Sequence, residues 1–83
     1  MDKVLVNVFV PMLNTSYDMF IPLTSQMHEV LMLIKKAVNE LSDGRFITND
    51  NTAICHRDNG GIIDINLSVY ELGIHNGSRL MLI

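Results

Sequence analysis

The side chains in this 83-residue chain that could do chemistry are few: one cysteine, three histidines, nine carboxylates and a Gly-Gly step. Cys55 and His56 are adjacent, and in an extended strand neighbouring side chains point to opposite faces, so they cannot pair as nucleophile and base. Cys55 therefore reads as a small sheet or core residue; either Cys55 or the pair Ile54 and His56 faces inward. His28, His56 and His75 fall on a helix, a strand and a bend, without the spacing that prearranges a zinc site. Gly60-Gly61 has no helix start or Lys-Ser/Thr pair behind it, which makes it a turn rather than a phosphate cradle. Asp43, Glu40, Asp64 and Glu71 stand at turns and helix ends, where solvation and capping account for them. One cysteine cannot hold an iron–sulfur cluster. No catalytic, cofactor-binding or metal-binding residue is assigned, and an enzyme is not expected.

Composition narrows the remaining classes. A chain of this length supports one core and buries only about 60% of its unfolded surface, so the stability margin is modest. At 48% hydrophobic it has the apolar material to fold without staples. A lone cysteine makes no internal disulfide, which suits a reducing compartment. No apolar run approaches the roughly 18 residues of a membrane span, and Met1-Asp-Lys-Val lacks the features of a secretory signal. The net charge of −3 gives no footprint for nucleic acid. The expectation is a cytoplasmic domain with protein partners, no direct membrane insertion and no cofactor.

These residues must be positioned by a short series of elements. Val4, Val6, Val8 and Val10 alternate with Leu5, Asn7 and Phe9, the period of a strand with one buried face. Residues 11–16 read as a loop, and Tyr17, Met19 and Ile21 give a second strand ending at Pro22, whose missing amide suits a strand end or an unpaired side. Pairing the two about that loop sets Phe20 near Asn7 and diagonal to Leu5 and Phe9. Met27, Val30, Leu31, Ile34, Ala37, Val38 and Leu41 follow at helical spacing, with Thr24 or Ser25 as the expected cap and Gly44 as the stop. Helical spacing turns Met32 away from that stripe. Residues 46–51 read as a polar connection and 52–57 as a third strand. Asp58-Asn59-Gly60-Gly61 is a hairpin turn, and Ile62, Ile63 and Ile65 make a short fourth strand. Residues 68–72 form a turn of helix and 79–83 a last strand. That order predicts an α+β domain over 1–83: a β-grasp, with a mixed sheet of about five strands packed on one long helix.

The closing run Leu72-Gly73-Ile74, Asn76-Gly77, Leu80 and Leu82 resembles the final segment of ubiquitin-like domains. With the Tyr17-Asp18 step, Asn14 and Ile21-Pro22-Leu23, the chain is similar to the YukD/EsaB family, small bacterial ubiquitin-like proteins of type VII secretion systems. Related domains are fused to membrane proteins of the same machinery. The resemblance implies a non-enzymatic accessory or regulatory protein acting by protein–protein contact. It would dock on membrane-embedded secretion components and take a peripheral station at the inner face of the membrane. The sequence shows no Gly-Gly after the last strand, so the expectation is a non-conjugating member. The alternatives are a general adaptor or self-associating domain outside secretion, and a sulfur carrier or modifier that has lost its tail.

With the last strand beside the first, Leu5, Phe9, Phe20, Met81 and Ile83 share the face away from the helix. An apolar group of this kind on a small domain marks a protein-binding surface or a homodimer contact, and these five are the candidate site residues.

Overall fold

The computed structural model describes residues 2–47 and 51–83. Its elements are β1 (Lys3–Val10), a 3-10 turn (Pro11–Leu13), β2 (Thr15–Pro22), α1 (Met27–Leu41), β3 (Ile54–His56) and β4 (Arg79–Leu82). The sheet order is β2-β1-β4-β3. β1 runs antiparallel to β2 and parallel to β4, and β3 runs antiparallel to β4. A hairpin, a helix crossing one face and a last strand inserted beside the first make this a ubiquitin-like β-grasp.

Valine alternation builds the centre. Val6, Val8 and Val10 have no exposed surface, and β-branched side chains suit a pleated surface closed on one side by a helix. Against them pack Met27, Val30, Leu31, Ile34 and Val38 of α1, the stripe that helical spacing predicts. Leu80 and Leu82 add the inward side of β4.

Several expectations are corrected. Among the described residues the sheet has four strands rather than five, because the fourth expected strand shrinks to a single bridge, Cys55 to Ile62. The reason lies in where its backbone groups go. The carbonyls of Ile65 and Leu67 accept the amides of His28 and Met27 at 2.9 and 2.8 Å, so this segment leaves the sheet to serve the helix start. Neither Thr24 nor Ser25 caps the helix; Gln26 is the N-cap residue, and its side chain makes no capping bond. Amides that have no partner within the helix are thus satisfied by backbone from far along the chain. The helix is 15 residues, of ordinary rather than exceptional length.

Leu41 is 60% exposed although helical spacing puts it on the core stripe, and Phe46, expected in a polar connection, is buried in the core cluster. The chain reverses through Asp43 and Gly44, both at positive φ, and the buried Ser42 hydroxyl holds the return: it donates to the Asn39 carbonyl and accepts the Phe46 amide at 3.1 Å. Asn39 Nδ2 donates to the Phe46 carbonyl. Part of that expected connection, residues 48–50, lies outside the described residues. The first hairpin is also tighter than expected. Pairing continues to Val10 opposite Thr15, so Phe20 faces Leu5, two places from Asn7's partner Asp18. Pro22 does fall on the unpaired side of an edge strand.

Residues 68–72 form turns in which Ser68 and Glu71 hold each other reciprocally: the Ser68 amide donates to Glu71 Oε1 and the Glu71 amide to Ser68 Oγ, at 2.9 and 3.1 Å. This is the capping-box arrangement. The hydrogen bonds from the Ser68 amide and hydroxyl hold the exposed Glu71 carboxyl below its ordinary pKa.

Three outcomes are expected. Phe46→Ala should lower unfolding free energy in urea by about 3 kcal/mol, whereas Leu41→Ala should change it by less than about 0.5 kcal/mol. Because the folded Glu71 pKa is depressed, its contribution is complete above the ordinary glutamate range and fades as pH falls through the folded value. Glu71→Gln should therefore flatten that acid limb in thermal melts and leave the remaining pH dependence unchanged.

Candidate protein-binding face

The side of the sheet turned away from α1 carries all five candidate residues, and strand register fixes how they meet. Directly opposed residues on paired strands share a face. Leu5 lies opposite Phe20, and Phe9 lies between Ser16 on β2 and Met81 on β4. Met81 in turn lies opposite Cys55. Ile83 follows β4, its amide and carbonyl both bonded to Ala53. Phe20, Ile83 and Leu5 are 67%, 54% and 39% exposed, while Phe9 and Met81 are half-buried.

The five resolve into two apolar groups. Leu5 and Phe20 make one; Phe9, Met81 and Ile83 make the other. Leu5 and Phe9 are four residue steps apart along β1, about 13 Å at strand rise, and the row between them is polar. Asn7 Nδ2 donates to Asp18 Oδ1 at 2.9 Å, and Arg79 stands opposite Asn7 on β4, its guanidinium paired with Asp58. The face thus carries an apolar, polar, apolar sequence of bands.

One feature is not legible in the sequence, and one alternative left open there is decided by the structure. The Arg57 guanidinium lies over the Phe9 ring, 4.2 Å from its centroid. Since Arg57 is adjacent to β3 and its amide bonds the Arg79 carbonyl, the side chain must reach across β4 to do this. A cation on the ring face is attracted to its π-electrons and covers apolar surface with its stem. The signal available in sequence was only an arginine next to a hairpin turn, with no indication of register. The alternative concerns Cys55. Ile54 joins the core cluster, so the pair Ile54 and His56 takes the helix side and Cys55 the outer side, yet Cys55 is buried, with Met81 opposite and Ile62 bridged to it. A thiol so enclosed behaves as a small hydrophobe.

The closing segment holds the face in place. Asn76 Oδ1 accepts the Leu5 amide at 2.8 Å, the Gly77 amide donates to the Leu5 carbonyl at 2.9 Å, and the Asn7 amide donates to the Ser78 carbonyl at 3.0 Å. Gly77 takes φ +90°, a backbone conformation that glycine adopts without strain. An asparagine side chain thus replaces one rung of the β1–β4 ladder.

Elsewhere, Met32, Lys35, Lys36 and Asn39 line a shallow, open recess on the outward side of α1. No group of three or more His, Cys, Asp or Glu that could hold a metal is present among the described residues. No helix among them is long and apolar enough to cross a membrane.

Neither a family model nor a curated protein matches this sequence. Solved structures do. The ubiquitin-like domain of the Mycobacterium tuberculosis type VII secretion protein EccD1 superposes with a TM-score of 0.80 at 16% identity, covering 100% of this chain and 99% of that one. The fold is therefore shared with type VII secretion ubiquitin-like domains. The MycP5-free ESX-5 inner membrane complex contains a chain matched at TM-score 0.70 and 17% identity, over 100% of this chain and 21% of that one. The UBL domain of Plasmodium falciparum Dsk2 matches at 0.74 and 15% identity, over 98% of this chain and 96% of that one.

Asn76→Ala should cost about 1 kcal/mol of stability, the worth of one lost hydrogen bond. In hydrogen-exchange experiments the Leu5 amide should lose protection more than the amides of Val6 and Val8.

Proposed function

We propose that this protein is a docking module of a type VII secretion system, neither a catalyst nor a transferred tag, which binds secretion components at the inner face of the membrane through the outer face of its sheet. The observation that carries the reading is the end-to-end likeness to the EccD1 ubiquitin-like domain, joined to a sheet face that leaves Phe20 and Ile83 largely in solvent. Contact through such a face gains apolar burial from Leu5, Phe9, Phe20, Met81 and Ile83. Its orientation comes from the polar band between them, since charged and amide groups at an interface set register more than affinity. The match to a chain of an inner membrane complex supports a partner in that assembly, and the reading places the domain in the cytoplasm.

A general adaptor role outside secretion is the second reading. The likeness to the Dsk2 UBL domain, at a TM-score close to that of the secretion domains, favours it.

Capture with the intact chain from cytosol and solubilised membranes, identified by mass spectrometry, separates the two. Enrichment of the secretion ATPase or membrane subunits is expected; recovery of unrelated proteins alone favours the adaptor. Covalent adducts through the C-terminal carboxylate would return the carrier reading. Phe9→Asp combined with Met81→Asp should abolish capture while circular dichroism stays unchanged. Persistence of capture in the folded double variant would move the interface off this face.

A further inference from the structure

The two edges of the sheet are finished differently. On the β3 side the edge is only three residues long and is covered: the His56 amide donates to the Gly61 carbonyl, the Ile63 amide to the Ile54 carbonyl, and Cys55 bridges Ile62. On the β2 side an eight-residue strand runs in unbroken register without a bulge, carrying one charge, Asp18, and one proline, Pro22, at its end. Proteins usually blunt such an edge, because its unpaired amides and carbonyls invite another strand.

Ladder alternation identifies those groups. The Leu5 and Asn7 backbones turn toward β4, so their partners Phe20 and Asp18 turn their own amides and carbonyls outward, and Ser16 and Pro22 follow the same alternation. The Leu23 amide bonds Asp2 on the β1 side, consistent with this phase. Pro22 offers only a carbonyl.

We infer that β2 pairs antiparallel with β2 of a second copy, about a two-fold axis at Met19, joining two four-stranded sheets into one of eight. The strand's own sequence selects both partner and register. Continuous faces require outward-bonding residues to oppose one another. A two-fold at Asp18 sets two carboxylates directly opposite, which is repulsive. A two-fold at Phe20 sets Ser16 against Thr24, beyond the end of β2, so with Asp18 facing the missing Pro22 amide only about four hydrogen bonds form. A two-fold at Tyr17 runs into the turn at Asn14, which leaves the strand at φ 50°.

Centred on Met19, Asp18 and the second copy's Phe20 exchange both bonds, and the Ser16 amide meets the Pro22 carbonyl, about six hydrogen bonds in all. Tyr17 then faces Ile21 on the helix side, where Tyr17 is half-buried. On the outer side, Lys3, paired with Pro22, comes within about 12 Å, Cα to Cα, of Asp18 in the other copy. That span is within reach of a lysine and an aspartate, and neither residue forms an ion pair among the described residues. This charge complementarity, repeated by the two-fold, favours a second copy over an arbitrary strand.

Sedimentation of the intact chain over a concentration series should show a reversible dimer with Kd on the order of 10–100 µM, as fits a small contact. In a Cys55→Ala background, Met19→Cys should form an interchain disulfide on mild oxidation, since a non-hydrogen-bonded pair lies at about 4.5 Å between Cα atoms. Tyr17→Cys should not. Lys3→Glu should weaken dimerisation about tenfold, and adding Asp18→Lys should restore it; this pair of exposed substitutions keeps the test available if a cysteine variant misfolds. A monomer throughout the series overturns the inference. So does a dimer that cross-links equally through Tyr17→Cys, or one indifferent to the charge reversal.

Discussion

The pairing of β1 with β4 is the constraint on which the rest depends. It joins residues 7–9 to residues 79–81, so a loop of some 70 residues must close before the sheet exists. Closure entropy grows only slowly with length, but β4 offers just four strand residues to offset it. The closing segment supplies extra attachment. Asn76, Gly77 and Ser78 each contribute a bond to Leu5 or Asn7 ahead of the strand proper, and Ile74 is buried behind them. Without this pairing, β2 and β3 belong to separate pieces, and the two apolar groups of the outer face have no common surface.

A second long-range dependence works in the other direction. The start of α1 has no side-chain cap and relies on carbonyls of Ile65 and Leu67. Those carbonyls are presented only because the chain leaves the sheet after Ile63. The lost fifth strand and the capped helix are therefore one event: the same backbone groups cannot do both, and buried helix amides without partners cost more than an exposed strand end left unpaired. The reciprocal Ser68–Glu71 pair fixes the turn that follows, and the amides of Val69 and Tyr70 bond the carbonyls of Ser25 and Leu23. The segment 65–70 thus ties the helix entry to the second half of the chain.

Period-based features were legible in the sequence, and accounting-based ones were not. The valine alternation of β1 and the boundaries of α1 could be read because each is repeated along a segment. Leu41 and Phe46 were misplaced because periodicity says which way a residue points and not where the neighbouring layer ends. The helix outlasts its cover, and the chain folds back to put Phe46 in the core. Phe20 slipped by one pair because hairpin register depends on how far pairing continues into the turn, and Asn14 in the left-handed region permits a shorter loop than its composition suggests. Of the outer face, the five apolar residues could be placed on one side by alternation alone. Arg57 over Phe9 could not, since it requires the order of three strands and the reach of a side chain across one of them.

That arginine bears on how much apolar surface the face exposes. Exposed apolar groups on a domain of this size invite nonspecific association, and the outer face manages them by subdivision. The Asn7–Asp18 hydrogen bond and Arg79 with its Asp58 partner cut the surface into two small groups, and Arg57 covers the Phe9 ring in one of them. A partner able to displace or receive the guanidinium gains access to Phe9 and Met81; one that presents only apolar surface must desolvate the polar band without compensation. The cost of leaving buried polar groups unpaired then discriminates between partners more sharply than the apolar area does. In the docking reading proposed above, selectivity on this face would therefore reside in Asn7, Asp18, Arg57 and Arg79, and the hydrophobic residues would supply affinity to a partner that satisfies them.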